Sequence, residues 1–350
     1  MKKIIASTAF LLISASIIAK PIVNSVKEEK TIKDGKGIFY FLPKTILKVE
    51  IKTIKTTFVK GPFFQYAGRF LGTKDFIKAD KEEWSLESLA LIPFSVADTS
   101  KVFHIQSPEK TAGICLNSDN ILCAIGNECK QKDGCSKQET TISLLSKKNV
   151  IFDWNVLNED ALQANSTTKM AELAAKQLYA IRESKNSYLL GDFEFPSDGA
   201  STQILFDQLC STEQKLTELF VGKTVTDTLV QTIEIDPSKN TDEVLFRFTN
   251  KHGVVDKTDL SGTPIYLKIE IEQTNLNLAD KQKKQNGIRY QIAGKSTITL
   301  YNTEAILLKN SVKVAQLGYT LALDKKLTKD KDLILIFDPT TGEIKRLHAK

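Results

Sequence analysis

Strict alternation of apolar and polar residues is the feature that most limits the folds open to this chain. It occurs at residues 45–53, where Leu47, Val49 and Ile51 alternate with charged neighbours, and again at residues 265–272. A period of two residues is typical of a β-strand with one buried and one solvated face. Other strand-like stretches lie at 88–94, 102–105, 150–154, 225–235, 287–300, 305–308, 314–323 and 333–337. The chain is therefore predicted to be mainly β.

Two longer stretches in the middle of the chain follow the helical period instead. The first runs from Ser166 or Thr167, either of which could be the N-cap, to Gly191, and the second runs from near Asp198 to Gly222. The second helix carries Leu205, Leu209, Leu216 and Phe220 at apolar positions. Turn-forming residues at 196–199 join the two stretches. The expected fold class is α+β, predominantly antiparallel β with a central αα-hairpin.

Residues 1–19 carry the pattern of a cleavable signal peptide. Two lysines follow Met1, an apolar run extends to Ala19, and Lys20 and Pro21 come directly after it. The run is shorter than the roughly 20 apolar residues that cross a bilayer, so cleavage is favoured over anchoring. No cysteine stands nearby to carry a lipid. We therefore expect an exported protein, in the periplasm or outside the cell, with no membrane span after signal cleavage.

The charged residues are spread along the chain. The sequence has 48 Lys and Arg against 42 Asp and Glu, a formal net charge of +6. A nucleic-acid-binding surface would concentrate basic residues among aromatic ones, and the one dense run, at residues 281–284, contains no aromatic residue. We therefore expect no nucleic-acid partner.

Four of the five cysteines lie close together, at Cys115, Cys123, Cys129 and Cys135. In an exported protein this spacing indicates a loop closed by disulfides, and all three pairings stay open. The alternative is that the cysteines bind zinc, but the cluster lacks a Cys-x-x-Cys motif and an oxidising compartment favours disulfides. The fifth, Cys210, is interpreted as a small apolar residue.

These patterns divide the chain into five segments. They are the signal peptide at 1–19, an N-terminal linker at 20–35, an N-terminal β-rich domain at 36–160 with the cysteine loop at 115–135, the αα-hairpin at 161–222, and a C-terminal β-rich domain at 223–350. Residues 37–42 and 287–292 also echo each other, since both begin Gly-Ile and have a tyrosine in fourth place. This echo is consistent with a duplicated β unit.

Short motifs in a fixed order resemble those of a known family. They lie at 37–45 (GIFYFLPKT), 61–67 (GPFFQYA), 70–72 (FLG), 180–184 (AIRES), 191–192, 196–199 (PSDG), 219–222 (LFVG) and 337–342 (FDPTTG). Their order and spacing are similar to those of exported bacterial proteins described as domain of unknown function 4831, over nearly the whole chain after the leader. The resemblance implies no activity, cofactor or partner. The cysteine loop does not fit the family pattern and is interpreted as a local elaboration.

Residues of the kind that usually carry catalysis are few. The three histidines, His104, His252 and His348, stand outside any recognisable motif, and we interpret His252 and His348 as surface residues. The sequence also lacks a nucleophile elbow, a zinc-peptidase helix motif and a phosphate-binding glycine loop. We therefore predict no catalytic residue, no metal ligand and no cofactor.

Two groups of residues offer a functional interpretation beside a structural one. Phe63, Phe64 and Tyr66 could form a surface platform for a ligand, although helical spacing suits a core. Asp192, Glu194 and Asp198 could hydrolyse a glycan if two of them faced each other across a cleft, although turn and capping roles are commoner.

The leading hypothesis is a non-enzymatic binding or structural module of the bacterial cell envelope. Its partner would be an envelope protein or a glycan that the sequence does not identify. The alternative is a carboxylate-dependent glycan hydrolase.

Overall fold

The computed structural model describes residues 23–25, 37–105, 113–126, 151–191, 199–272, 287–324 and 333–349. Several predictions fall outside these ranges and stay predictions: the signal peptide, Cys129 and Cys135, the carboxylates Asp192, Glu194 and Asp198, and the basic run at 281–284.

Strands make up most of the described chain. They are β1 (Val23–Ser25), β2 (Ile38–Val59), β3 (Lys81–Ile105), β4 (Ile114–Leu116), β5 (Leu122–Ile125), β6 (Lys223–Ile235), β7 (Thr241–Thr249), β8 (Gly253–Val255), β9 (Thr263–Ile271), β10 (Arg289–Tyr301), β11 (Ile306–Ala322), β12 (Leu333–Phe337) and β13 (Ile344–Ala349). The α-helices are α1 (Glu159–Leu162), α2 (Thr167–Leu190) and α3 (Gly199–Val221). The protein is therefore a strand-rich α+β protein.

The strands form three sheets whose ladders are antiparallel. Their orders are β1-β3-β2-β6, β11-β10-β9-β7-β8 and β13-β12-β5-β4. The first two sheets share one apolar core, in which Leu47, Val49 and Ile51 of β2 cluster with residues of β9 and β10 such as Leu267 and Ile298. The predicted alternation of β2 and β9 is therefore confirmed, because the apolar residues of both strands face this core.

A second core lies where the third sheet meets the ends of β2, β3 and β10. Tyr40, Ile105 and Leu335 are buried there. The Tyr40 hydroxyl accepts a hydrogen bond from the Arg289 backbone N–H at 2.7 Å and donates one to the Arg289 carbonyl at 3.3 Å. These bonds satisfy a fully buried hydroxyl, and burial raises the pKa of Tyr40 well above its ordinary value.

The pairs β2–β3 and β10–β11 share the same irregularity. Phe41 of β2 is paired with Val102 of β3, and Pro43 is paired with Ala97, so an advance of two residues along β2 corresponds to five residues along β3. Ile292 of β10 is paired with Tyr319 of β11, and Gly294 is paired with Val314, so two residues along β10 again correspond to five residues along β11. The two bulges have the same size and begin one residue apart when 37–42 is aligned with 287–292, which is consistent with the duplicated β unit that the sequence echo suggests.

Helices α2 and α3 begin and end near the predicted residues. The Ser166 hydroxyl accepts a hydrogen bond from the Lys169 N–H as N-cap, and Gly191 closes α2 with a φ of +78°. The two helices run antiparallel, since Arg182 pairs with Glu213 and an aromatic contact joins their other ends. Their connection, residues 192–198, lies outside the described ranges, so the hairpin itself stays a prediction.

Three details of the strand prediction were wrong. The stretches at 88–94 and 102–105 belong to one strand, β3, and those at 305–308 and 314–323 belong to β11. The stretch at 150–154 is not a strand in its described part: Trp154–Val156 forms a 3-10 turn, capped by a bond from the Asn155 N–H to the Asp153 carboxylate. A local side-chain acceptor here competes with a sheet ladder.

Two of the three sheets combine strands from before and after the helices. β6 pairs with β2 along its whole length, and β12 pairs with β5. Val23–Ser25, inside the segment predicted as a linker, pairs with β3. The boundaries at residues 160 and 222 stay predictions about separately folding units. In the part of the chain that the structure describes, no helix combines the length and apolar character needed to cross a membrane.

Candidate interaction surface

The motifs at the two ends of the chain meet in one place. The Thr45 hydroxyl donates to the Thr340 carbonyl at 2.8 Å and accepts from the Ala315 N–H at 2.9 Å. The Gln316 side-chain amide bonds both backbone groups of Thr45, at 2.9 and 2.8 Å. We call Thr45, Gln316, Thr340 and Gly342 the terminal joint. It ties β2 and β11 to the turn after β12.

Neighbouring contacts complete the terminal joint. Lys44 forms an ion pair of 2.5 Å with Asp236, and Gln316 donates to the same carboxylate at 3.2 Å. Gly342 has a φ of +76°, and a Cβ atom there would lie 3.0 Å from the Pro43 ring. The polar groups of the terminal joint therefore bond one another, and glycine is required where two segments touch.

The motifs near Gly61 and Gly222 meet in a second place, the helix joint. A Cβ atom on Gly61 would lie 2.3 Å from the Leu219 carbonyl oxygen, and one on Gly222 would lie 2.4 Å from the Val59 carbonyl oxygen. The Phe63 N–H donates to the Leu219 carbonyl at 2.8 Å. These contacts fix the end of α3 against the end of β2. The family-like motifs at 61–67 and 219–222 therefore meet by close backbone packing.

The three aromatic residues proposed as a ligand platform lie beside the helix joint. Phe63 is buried between Trp154 and Phe220. Phe64 lies under the Lys60 ammonium, and the Tyr66 hydroxyl is hydrogen-bonded to Thr168 at 2.8 Å. Phe63 thus belongs to the core, and a ligand role for the partly accessible Phe64 and Tyr66 stays a prediction.

His104 and His252 lie far apart. His104 is buried near the end of β3 and stacks on Phe39, with ring centroids 4.3 Å apart. His252 is exposed in the turn between β7 and β8, as predicted, and this turn packs beside Trp84, near the start of β3. His348 belongs to the last strand.

One shallow depression lies over β7 and β9, lined by residues 240–242 and 268–271. Its polar side chains bond neighbours: Asp242 accepts from Tyr301 at 2.8 Å and Lys268 pairs with Glu270 at 2.7 Å. Within the described ranges, no cluster of three or more His, Cys, Asp or Glu side chains could hold a metal ion. Cys115 and Cys123 lie on β4 and β5, whereas Cys129 and Cys135 lie outside those ranges, so the disulfide prediction stays open with all three of its pairings.

Among the described residues, several exposed apolar side chains lie at the far end of α2 and α3. We call residues 181–190 and 199–210 the helical arm; none of these residues is buried. Leu189, Leu190 and Ile204 are 69%, 76% and 69% exposed. Leu205, an apolar residue that the sequence also places on this helix, is 43% exposed. Along α3, the apolar residues become buried only from Leu216 onward. The first half of the helix, at residues 199–210, extends beyond the core and contains no buried residue.

Contacts between the two helices hold the arm together. Glu213 accepts hydrogen bonds from Lys185 at 2.6 Å and from Arg182 at 2.8 Å. These bonds, the Lys185 bond first, hold the pKa of the Glu213 carboxyl below its ordinary value. Nearer the tip, Tyr188 packs on Phe206 with ring centroids 4.9 Å apart. The arm is therefore an ordered structure with apolar residues on its outer surface.

The fold and this surface define a strand-rich α+β protein with two packed sheets, a smaller third sheet and an exposed helical arm. The chain belongs to the family described as Domain of unknown function (DUF4831), whose model matches residues 36–345. No curated protein and no solved structure matches the chain. The resemblance inferred from the motifs is thereby confirmed at the level of the family.

Proposed function

We propose that this protein is a non-enzymatic binding or structural module of the bacterial cell envelope. In this proposal α2 and α3 form the predicted αα-hairpin, and the tip of the helical arm is the contact surface. The observation that carries the proposal is the exposure of Leu189, Leu190, Ile204 and Leu205 at the end of two ordered helices.

Exposed leucine and isoleucine side chains in a group are unfavourable in water unless a partner covers them. Burying one such side chain contributes about 1.5–3 kcal/mol. An apolar patch on paired helices is also a common recognition surface, because helix faces present side chains at fixed spacing. The envelope location rests on the leader at residues 1–19 and on the cysteine cluster.

The joints give a structural role to the family-like motifs at 37–45, 61–67, 219–222 and 337–342. Thr45 bonds both Gln316 and Thr340, and Gly61 and Gly222 allow backbones to touch. Packing and hydrogen bonding therefore explain why these residue types occupy these positions. The surface available to a partner is therefore sought outside them, on the arm.

The test compares the retention of envelope components on immobilised wild-type protein and on a variant in which Leu189, Leu190, Ile204 and Leu205 are replaced by serine. The variant is expected to lose retention, because the apolar contact is removed. The matched control is Leu260→Ser, since Leu260 is 82% exposed but lies in the loop before β9. Equal retention by all three proteins, or hydrolysis of envelope glycans by the purified protein, would contradict the proposal.

A further inference from the structure

Strand β6 forms one edge of the first sheet. It pairs with β2 without a register shift, from Leu47 opposite Ile235 to Val59 opposite Lys223. Among the described residues, no strand pairs with its other side. Along the thirteen residues of β6, every second residue therefore presents its backbone N–H and C=O to the open edge.

The other strands at sheet edges carry features that disfavour edge pairing. On the far side of the first sheet, β1 has three residues and covers only the end of β3. β3 contains Pro93, which cannot donate a hydrogen bond, and β11 has a five-residue irregularity together with Lys309 and Lys313. β4 and β8 have three residues each, and β13 has six, including Lys345 and Arg346. β6 is long and regular, has no proline, and has charged side chains only at Lys223, Asp227 and Glu234. By the rules that natural edge strands follow, it needs a partner strand.

The core side of β6 is also incompletely covered. Ile233 and Leu229 lie opposite Val49 and Thr53, which are buried residues of β2, and Val225 follows on the same face of β6 because side chains alternate along a strand. They nevertheless stay partly exposed, and none of residues 223–234 is buried. A strand added beside β6 would cover these side chains.

We propose that β6 pairs antiparallel with β6 of a second copy of this chain, joining the two first sheets into one. The sequence of β6 is complementary to itself about Leu229: Val225 lies opposite Ile233 and Thr226 opposite Thr232. Asp227 then lies opposite Gln231. No like charges face each other in this register, and threonine and β-branched pairs are favourable cross-strand neighbours. The edge carries too little positive charge to favour an anionic membrane surface.

The interface is tested by charge exchange at two residues of β6 that face away from the core. In the proposed register Thr228 lies opposite Val230 of the second copy. Two double variants are compared, Thr228→Lys/Val230→Lys and Thr228→Glu/Val230→Glu. Each variant places like charges opposite each other when it pairs with itself. A dimer of one lysine variant with one glutamate variant places opposite charges there instead. Molar mass is measured by sedimentation velocity across a dilution series, with circular dichroism as the check on folding.

The expected result is a dimer for the wild type, half that molar mass for each variant alone, and the full dimer mass when folded variants are mixed. The control Ser88→Lys/Ala90→Lys changes exposed residues on β3, at the other side of the same sheet, and should stay dimeric. The proposal would be overturned if the wild type were monomeric, if either variant were dimeric on its own, or if the mixture of the two variants stayed monomeric. Because the arm is not involved, this outcome is independent of the arm-binding test.

Discussion

Thr45 is a fully buried polar residue in the apolar half of β2. Its hydroxyl both donates and accepts, and its backbone groups bond the Gln316 amide. The bond to Thr340 joins residues 295 positions apart. A buried hydroxyl with both bonds made is stabilising, whereas the same site without the hydroxyl leaves buried groups unsatisfied.

We predict that Thr45→Val lowers the free energy of unfolding by about 1–3 kcal/mol, because the Ala315 N–H loses its acceptor. The measurement is denaturant-induced unfolding. Thr53→Val is the matched control: Thr53 is also buried in β2 but makes one long bond, of 3.4 Å, to the Leu229 carbonyl. Its loss should be less than about 1 kcal/mol. Equal losses for the two variants would show that the hydroxyl of the terminal joint has no special role.

A second prediction at the scale of single residues concerns pH. The lowered pKa of Glu213 means that its ion pairs stabilise the fold fully above the ordinary glutamate pKa of about 4.3. That contribution is lost as the pH falls through the lower folded-state pKa. Glu213→Gln should therefore reduce the free energy of unfolding by about 1 kcal/mol at neutral pH and by progressively less in acid.

The measurement is thermal unfolding of both proteins between neutral pH and pH values below the ordinary glutamate pKa. Glu183→Gln changes an exposed glutamate on the neighbouring helix, α2, and serves as the control. A difference between wild type and Glu213→Gln that does not shrink in acid would contradict the assignment.

At the scale of elements, the helix joint depends on close backbone contact. We predict that Gly61→Ala destabilises the protein by about 1–3 kcal/mol, because the new methyl group would overlap the Leu219 carbonyl and neither backbone can easily move. Gly68→Ala is the control, since the nearest atom to its Cβ would be 3.6 Å away. The test is denaturant-induced unfolding of both variants. A loss at Gly68 as large as at Gly61 would argue against a specific contact.

Element types were largely predictable, since alternation identifies β2 and β9 and caps identify α2. Lengths were less predictable. β3 continues through Pro93 and through an irregularity because pairing with β2 supplies the hydrogen bonds. The exposure of Leu205 was also missed, because helical period gives the direction of a side chain but not the presence of a neighbour.

At the scale of the whole molecule, pairing across long sequence distances decides the architecture. Thr53 of β2 and Leu229 of β6 are 176 positions apart, and no local pattern links them. The terminal and helix joints could not be derived from their short motifs either, because the contacts of each motif are made with a second motif that is distant in the sequence. Sequence patterns gave the strands and helices, and the partners came from packing.

The mixed sheets give a prediction about independent folding. Residues 223–350 contain β6 but lack β2, which supplies both its hydrogen bonds and Leu47, Val49 and Ile51 of the shared core. We predict that residues 223–350 expressed alone show no cooperative thermal unfolding by circular dichroism. A cooperative transition would instead support a separate C-terminal domain.

The central claim is that the joints hold the fold while the helical arm makes the external contact. The most direct measurement determines, for the four-residue arm variant and for Gly61→Ala, both the free energy of unfolding and the retention of envelope components below the melting temperature. We predict that the arm variant keeps its stability and loses retention, and that Gly61→Ala loses stability and keeps retention. An arm variant that retains envelope components as the wild type does would contradict the claim.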